Sequence, residues 1–160
     1  MTTPALQQTA HTPDDGVDLH EFHWFSSLVA AVVCALSAGL LVVAAQLSPV
    51  PGGVGTHTQL GMAPCGFLDN TGMPCATCGM TTSFALAADG RLIDAFINQP
   101  AGAMLALMVA VIAILSGYAT FKGLSILPMF QALWRPATII ITGIVVLGSW
   151  GYKILIMQGT

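Results

Sequence analysis

Ser26 to Leu47, Ala101 to Phe121 and Ala137 to Met157 are three apolar runs that hold one charge between them, Lys153. As a helix each run reaches roughly 31–33 Å at 1.5 Å per residue, the thickness of a hydrocarbon core of about 30 Å. Lipid offers no partner to a free backbone amide, so a spanning chain must fold as helices or as a closed barrel. Runs this long, without strand alternation, read as helices. The expected fold is therefore an all-α membrane protein: three transmembrane helices, with short interfacial helices in the long first loop.

The residues around the runs agree. Phe22, Trp24 and Phe25 precede the first run, where an aromatic belt belongs. Pro49, Pro51, Gly52 and Gly53 follow it and stop the helix. Pro100 and Pro136 open the second and third runs, in the first helical turn where proline is tolerated. Trp150 and Tyr152 mark the far end of the third, and Lys153 is expected to snorkel to the interface there.

Charged residues make up 7% of the chain, against roughly 25% in an ordinary soluble domain. The chain has four Lys plus Arg and a net charge of −3, with no basic patch, which excludes nucleic acid as a partner. The bilayer is the partner the composition dictates, with other membrane proteins as further ones, and no small-molecule substrate is identifiable.

The organisation expected is an acidic, disordered tail over 1–25, spans over 26–47, 101–121 and 137–157, a cysteine-bearing loop over 48–99 and an interfacial loop over 122–136. The tail carries Asp14, Asp15, Asp18 and Glu21 without Lys or Arg. It lacks the positive start of a secretory signal and is read as retained. In the long loop, the first half is rich in Gly and Pro and reads as irregular. The second half reads as two short helices. Met80, Phe84 and Ala88 share a face of the first, which Asp89-Gly90 ends. Leu92, Ile93, Phe96 and Ile97 share a face of the second, with Arg91 and Asp94 paired at i, i+3. Such pieces lie on the membrane surface or tuck between the spans. Leu124, Ile126, Leu127, Phe130 and Trp134 place the last loop in the interface.

Small residues recur every four positions on two spans: Ala31, Ala35 and Gly39 on the first, Gly102, Ala106 and Ala110 on the second. Lipid gives no hydrophobic drive for association, so such stripes serve close helix packing, either with each other or between copies.

Chemistry is confined to the cysteines. Cys34 lies inside the first span and packs as a small apolar residue. Cys65, Cys75 and Cys78 share the long loop. Cys75 and Cys78 form the C-x-x-C half of a zinc site, with Cys65 and His57 as the remaining ligands. The same pair, ahead of a helix, suits thiol exchange, although no thioredoxin-like strand–helix pattern surrounds it. The third reading is a structural bridge from Cys65 to Cys75 or Cys78, with no catalytic residue and no cofactor. No metalloprotease, serine-hydrolase or phosphate-loop motif is present.

Pro74-Cys75-Ala76-Thr77-Cys78-Gly79-Met80-Thr81-Thr82, then Ala85-Leu86, Gly90, Ala95 and Gln99-Pro100, resembles the domain-of-unknown-function 2752 family of small bacterial membrane proteins. Its pattern is Cys-Pro-x-Cys-Gly-x-Thr-Arg, then a glycine, an alanine and Asn-Pro; Cys65 and Thr71-Gly72 fit it upstream. Ala76 stands at the motif proline, Thr82 at the arginine and Gln99 at the asparagine, unless Asn98 takes its place. The resemblance covers Cys65 to Ala101 and the span that follows. It implies a multi-pass protein of the bacterial inner membrane and no particular activity. The function expected is a non-enzymatic structural or accessory membrane component with a cysteine-stabilised loop; the alternative is a thiol-redox or zinc-binding membrane enzyme using Cys75 and Cys78. Lys122 and Arg135 flank the short second loop, which sets the tail inside and the cysteine loop outside. Arg91 and Lys153 equal them in number on the other side.

Overall fold

The computed structural model describes residues 19–126, 130–131 and 133–158, with side chains from Trp24 onward. The described residues form helices and turns and no strand. Helix α1 is Leu19–Gln46. The loop after it holds a 3-10 turn at Thr56–Leu60 and helices α2 (Gly66–Thr71), α3 (Met80–Ala88) and α4 (Leu92–Asn98). Helix α5 is Pro100–Lys122 and α6 is Pro136–Gln158. Three helices are long and apolar enough to cross a membrane: α1 over Trp24–Gln46, α5 and α6. The chain is a multi-pass membrane protein.

Two expectations about boundaries change. Residues 19–25, read as part of the disordered tail, continue α1 as helix, and residues 1–18 lie outside the described residues. The Gly- and Pro-rich half of the loop is not wholly irregular, because it holds the 3-10 turn and α2. Glycines with positive φ make this folding possible: Gly55 (φ 91) and Gly61 (φ 77) bracket the turn, and Gly72 (φ 69) ends α2. In the last loop, Leu127 lies outside the described residues, Ile126 is buried, and Phe130 and Trp134 are exposed.

Helix α3 is tucked inside rather than laid on the surface. Thr82, Ser83, Phe84, Ala85 and Leu86 are all buried. Phe84 packs with Ala44 of α1 and Ala106 of α5, and Leu86 with Ala95 of α4 and Ala103 of α5. Its end closes as a Schellman motif, Arg91 N–H to Leu86 O at 2.9 Å and Gly90 N–H to Ala87 O at 3.1 Å. The Arg91–Asp94 pair forms at 2.8 Å. The apolar face of α4 points outward, with Ile93 76% exposed, while Ala95 faces the core.

The face that α1 turns to α5 is marked by Ala30, Val33, Cys34 and Ala44. Ala30 packs with Ala119, and the Cys34 thiol donates to Ala113 O at 3.5 Å. Of the stripe expected there, Ala31 is half-buried and Ala35 and Gly39 are exposed; a Cβ on Gly39 would meet nothing within 4 Å. On α5, Gly102 and Ala106 are buried and Ala110 is half-buried. Gly102 lies against α3, where a Cβ would sit 3.0 Å from Ser83 Cβ and 3.2 Å from Met80 Cα. Gly102→Val is thus expected to cost about 1–3 kcal/mol by overpacking. Gly143→Val, at a position with nothing within 4 Å, is the control. Thermal unfolding in detergent checks this, and equal shifts for the two variants would refute the close approach of α3 and α5.

Helix α6 is held chiefly at its C-terminal end. Ser149 Oγ accepts the Ala101 N–H at 3.1 Å and so caps the start of α5. Tyr152 donates to Ile97 O at 2.9 Å. The end of α1, the start of α5 and the end of α6 therefore meet on one side, and the folded loop sits among them.

Candidate thiol centre

The stretch Pro74 to Gly79 is short and its peptide groups need partners. The neighbouring helices supply them. Trp150 Nε1 of α6 donates to Pro74 O at 2.9 Å. Gln99 Nε2, between α4 and α5, donates to Ala76 O at 3.0 Å. Asn98 Nδ2 donates to Gly79 O at 2.9 Å and to Ser83 Oγ at 3.0 Å. The turn closes on itself through Cys78 N–H to Cys75 O at 3.0 Å. Three carbonyls of the cysteine segment are thus clamped by groups far away in sequence.

This clamp holds the segment that carries Cys75 and Cys78, and Cys65 reaches them from the start of α2. Cys75 Sγ is 3.5 Å from Cys65 Sγ and 3.2 Å from Cys78 Sγ, and all three lie within 4.8 Å of one another. An S–S bond is about 2.05 Å. The four cysteines stand as free thiols, with no pair at that distance; the three loop sulphurs gather about a common point.

His57 stands outside this group. Its Nε2 lies 3.2 Å from Ala63 O, and no histidine or carboxylate joins the three cysteines among the described residues. Cys34 is distant, in the α1–α5 contact. A groove of about 560 Å³ borders all three thiols, walled by Leu40, Val43 and Leu47 of α1, Phe84 of α3 and the loop residues His57, Met62 and Asp69.

The thiols differ in electrostatics. Burial works to raise Cys75, but hydrogen bonds with the Thr77 hydroxyl, Cys78, the Thr77 backbone and Cys65 outweigh it and bring its pKa down to about 7. Burial, then the hydrogen bonds with Cys75 and Cys65, pushes Cys78 up to about 12. The sign for reactivity follows: as pH rises through about 7, Cys75 becomes thiolate while Cys78 keeps its proton. Alkylation of Cys75 is expected to rise about tenfold per pH unit below that point and level off above it. Site-resolved mass spectrometry checks this; a midpoint near the ordinary value of 9.0 would contradict it.

Three residues of the site carry roles that their sequence positions did not announce. Lys153 is 3% exposed. Instead of snorkelling out it turns inward, and Nζ donates to Asn98 Oδ1 at 2.8 Å and to Asn98 O and Gly53 O at 3.2 Å each. Gln99 is 1% exposed, and its Oε1 has no protein hydrogen-bond partner. Thr82 pairs with Thr56 Oγ1 at 2.8 Å, and Thr56 in turn accepts the Val50 N–H at 3.2 Å. This buried hydroxyl pair ties α3 to the irregular part of the loop. An ionisable residue within a span is a functional-site candidate by default, and the signal that could have found Lys153 was its place in an otherwise uncharged run.

Residues 65–113 match the family model described as protein of unknown function (DUF2752). The matched segment begins at the first loop cysteine, holds all three thiols with α2, α3 and α4, and ends halfway along α5; the resemblance read from the motif holds over it. No curated protein and no solved structure matches the chain.

Proposed function

We propose that this membrane protein is a non-enzymatic component of a bacterial inner membrane, and that its loop is a binding centre for a thiophilic metal ion. The observation that carries the reading is the gathering of Cys65, Cys75 and Cys78 sulphurs within 4.8 Å. Sulphurs about a common ion at Zn–S bonds of about 2.3 Å stand roughly 3.8 Å apart when tetrahedral; two separations here, 3.2 and 3.5 Å, are somewhat shorter, and the third is within 4.8 Å. The carbonyl clamps from Trp150, Gln99 and Asn98 support it, since a metal site works only when outer groups fix its ligands.

The test is metal content of the full chain, purified in detergent without oxygen and loaded with one equivalent. One ion per chain, lost in Cys75→Ser, is expected. A metal-free chain whose intact mass is that of a disulfide would reject the reading.

Thiol–disulfide exchange with a substrate disulfide is the second reading: Cys75 attacks one sulphur and expels the other as a thiolate, and Cys78 then resolves the mixed disulfide, leaving the substrate reduced and a Cys75–Cys78 bridge. It is favoured by the half-exposed Cys75 lying 3.2 Å from the buried Cys78, the arrangement of an attacking and a resolving thiol. The expected topology has the centre on the outer face of the bacterial inner membrane, with Lys122 and Arg135 on its inner side. Labelling of loop thiols in intact cells tests it; labelling only after permeabilisation would reverse the orientation.

A further inference from the structure

We infer that the thiol centre selects copper(I), a soft monovalent cation, in a three-coordinate sulphur site. The inference rests on the metal-binding reading above and names the metal. The first ground is the donor count. Three sulphurs converge, and no fourth imidazole or carboxylate joins them among the described residues. Structural zinc sites are almost always four-coordinate, whereas a filled-shell monovalent ion is content with three ligands.

The backbone gives the second ground. Pro74 O, Ala76 O and Gly79 O are each held by a side chain from α6 or the α4–α5 junction. The cysteine turn therefore does not swing to meet a distant ligand. His57, the residue that would complete a four-ligand set, has its Nε2 facing Ala63 O at 3.2 Å.

The chemistry of the groove is the third. Met62 and Met80 line the groove together with the three cysteines, and most of the rest of its lining is apolar, with His57 as the one imidazole. Thiolate and thioether surroundings favour soft ions, and carboxylate and water surroundings favour harder ones. Asp69 is the one carboxylate in that lining. The centre is dominated by sulphur, with little hard-ligand capacity to draw on.

The experiment uses the full chain in detergent under argon with its thiols reduced. Copper(I), supplied as its acetonitrile complex, is titrated against a chromophoric copper(I) chelator, and zinc(II) against a chromophoric zinc chelator. One copper(I) per chain is expected, bound about 100-fold or more tightly than zinc. Cys65→Ser is expected to lower copper affinity by more than the roughly 10–100-fold that loss of an outer-shell partner costs. His57→Ala is expected to change it less than about threefold. Zinc bound as tightly as copper, or a large loss of affinity in His57→Ala, would overturn the copper assignment while leaving a metal site standing. Failure of the reduced chain to hold either metal would overturn both.

Discussion

Lys153→Met is expected to release the cysteine loop from the helix bundle, at a cost of about 3 kcal/mol. The ammonium group has three protons, and the structure uses all three on Asn98 Oδ1, Asn98 O and Gly53 O. The residue is 3% exposed, so water does not take over when the protons go. Two main-chain carbonyls and one amide oxygen are left without their donor, each costing about 1–3 kcal/mol when buried. Methionine keeps most of the volume, so the loss is polar rather than a cavity. Arginine is not a substitute, because its planar fork does not fit a point surrounded by three oxygens. Proteolysis of the loop in detergent gives the readout: at about 3 kcal/mol the open population rises by roughly 100-fold. Cleavage within about threefold of the parent would show that Lys153 does not hold the loop.

Gly79→Ala is expected to be comparably damaging for a different reason. Gly79 sits between Cys78 and the start of α3 at φ 86. A Cβ there would lie 2.8 Å from Gly53 O, and 3.2 Å from Asn98 Nδ2 and Lys153 Cε. The left-handed conformation alone costs a non-glycine residue about 1–2 kcal/mol. The carbonyl of Gly53 cannot rotate aside as a side-chain end would, so α3 and the Gly53 strand of the loop must part. That movement breaks the bonds of Lys153 and Asn98 together, and the total expected is about 3 kcal/mol or more. Gly90→Ala separates the two contributions, since Gly90 has φ 76 and nothing within 4 Å. It is expected to lose only the conformational part. Equal losses of thermal stability in the two variants would refute the packing argument.

How much of this was legible in the sequence differs by element. The spans were, because hydropathy over twenty residues is a property of composition and needs no partner. Helices α3 and α4 were, because their apolar spacing and Asp89-Gly90 are local signals. Which face of α1 packs was not: the helix is apolar all round, so its pattern gives no direction, and Ala31, Ala35 and Gly39 were as plausible as the Ala30, Cys34 and Ala44 line that packs. The thiol centre was half legible. A C-x-x-C segment with a cysteine upstream brings three sulphurs to mind, but membership of His57 depends on how a glycine-rich loop folds, and that is fixed by distant clamps. Those clamps were hidden because they are tertiary. Trp150 and Tyr152 read as interface aromatics, and Lys153 as a snorkelling cation, until the loop carbonyls they meet were placed beside them.

X-ray absorption at the metal edge of the chain loaded with one equivalent of copper(I) tests most directly whether three sulphurs share one ion. The prediction is a first shell of three sulphur atoms in the parent, falling to two in Cys65→Ser. A first shell of nitrogen or oxygen, or a sulphur count that Cys65→Ser leaves unchanged, would contradict it.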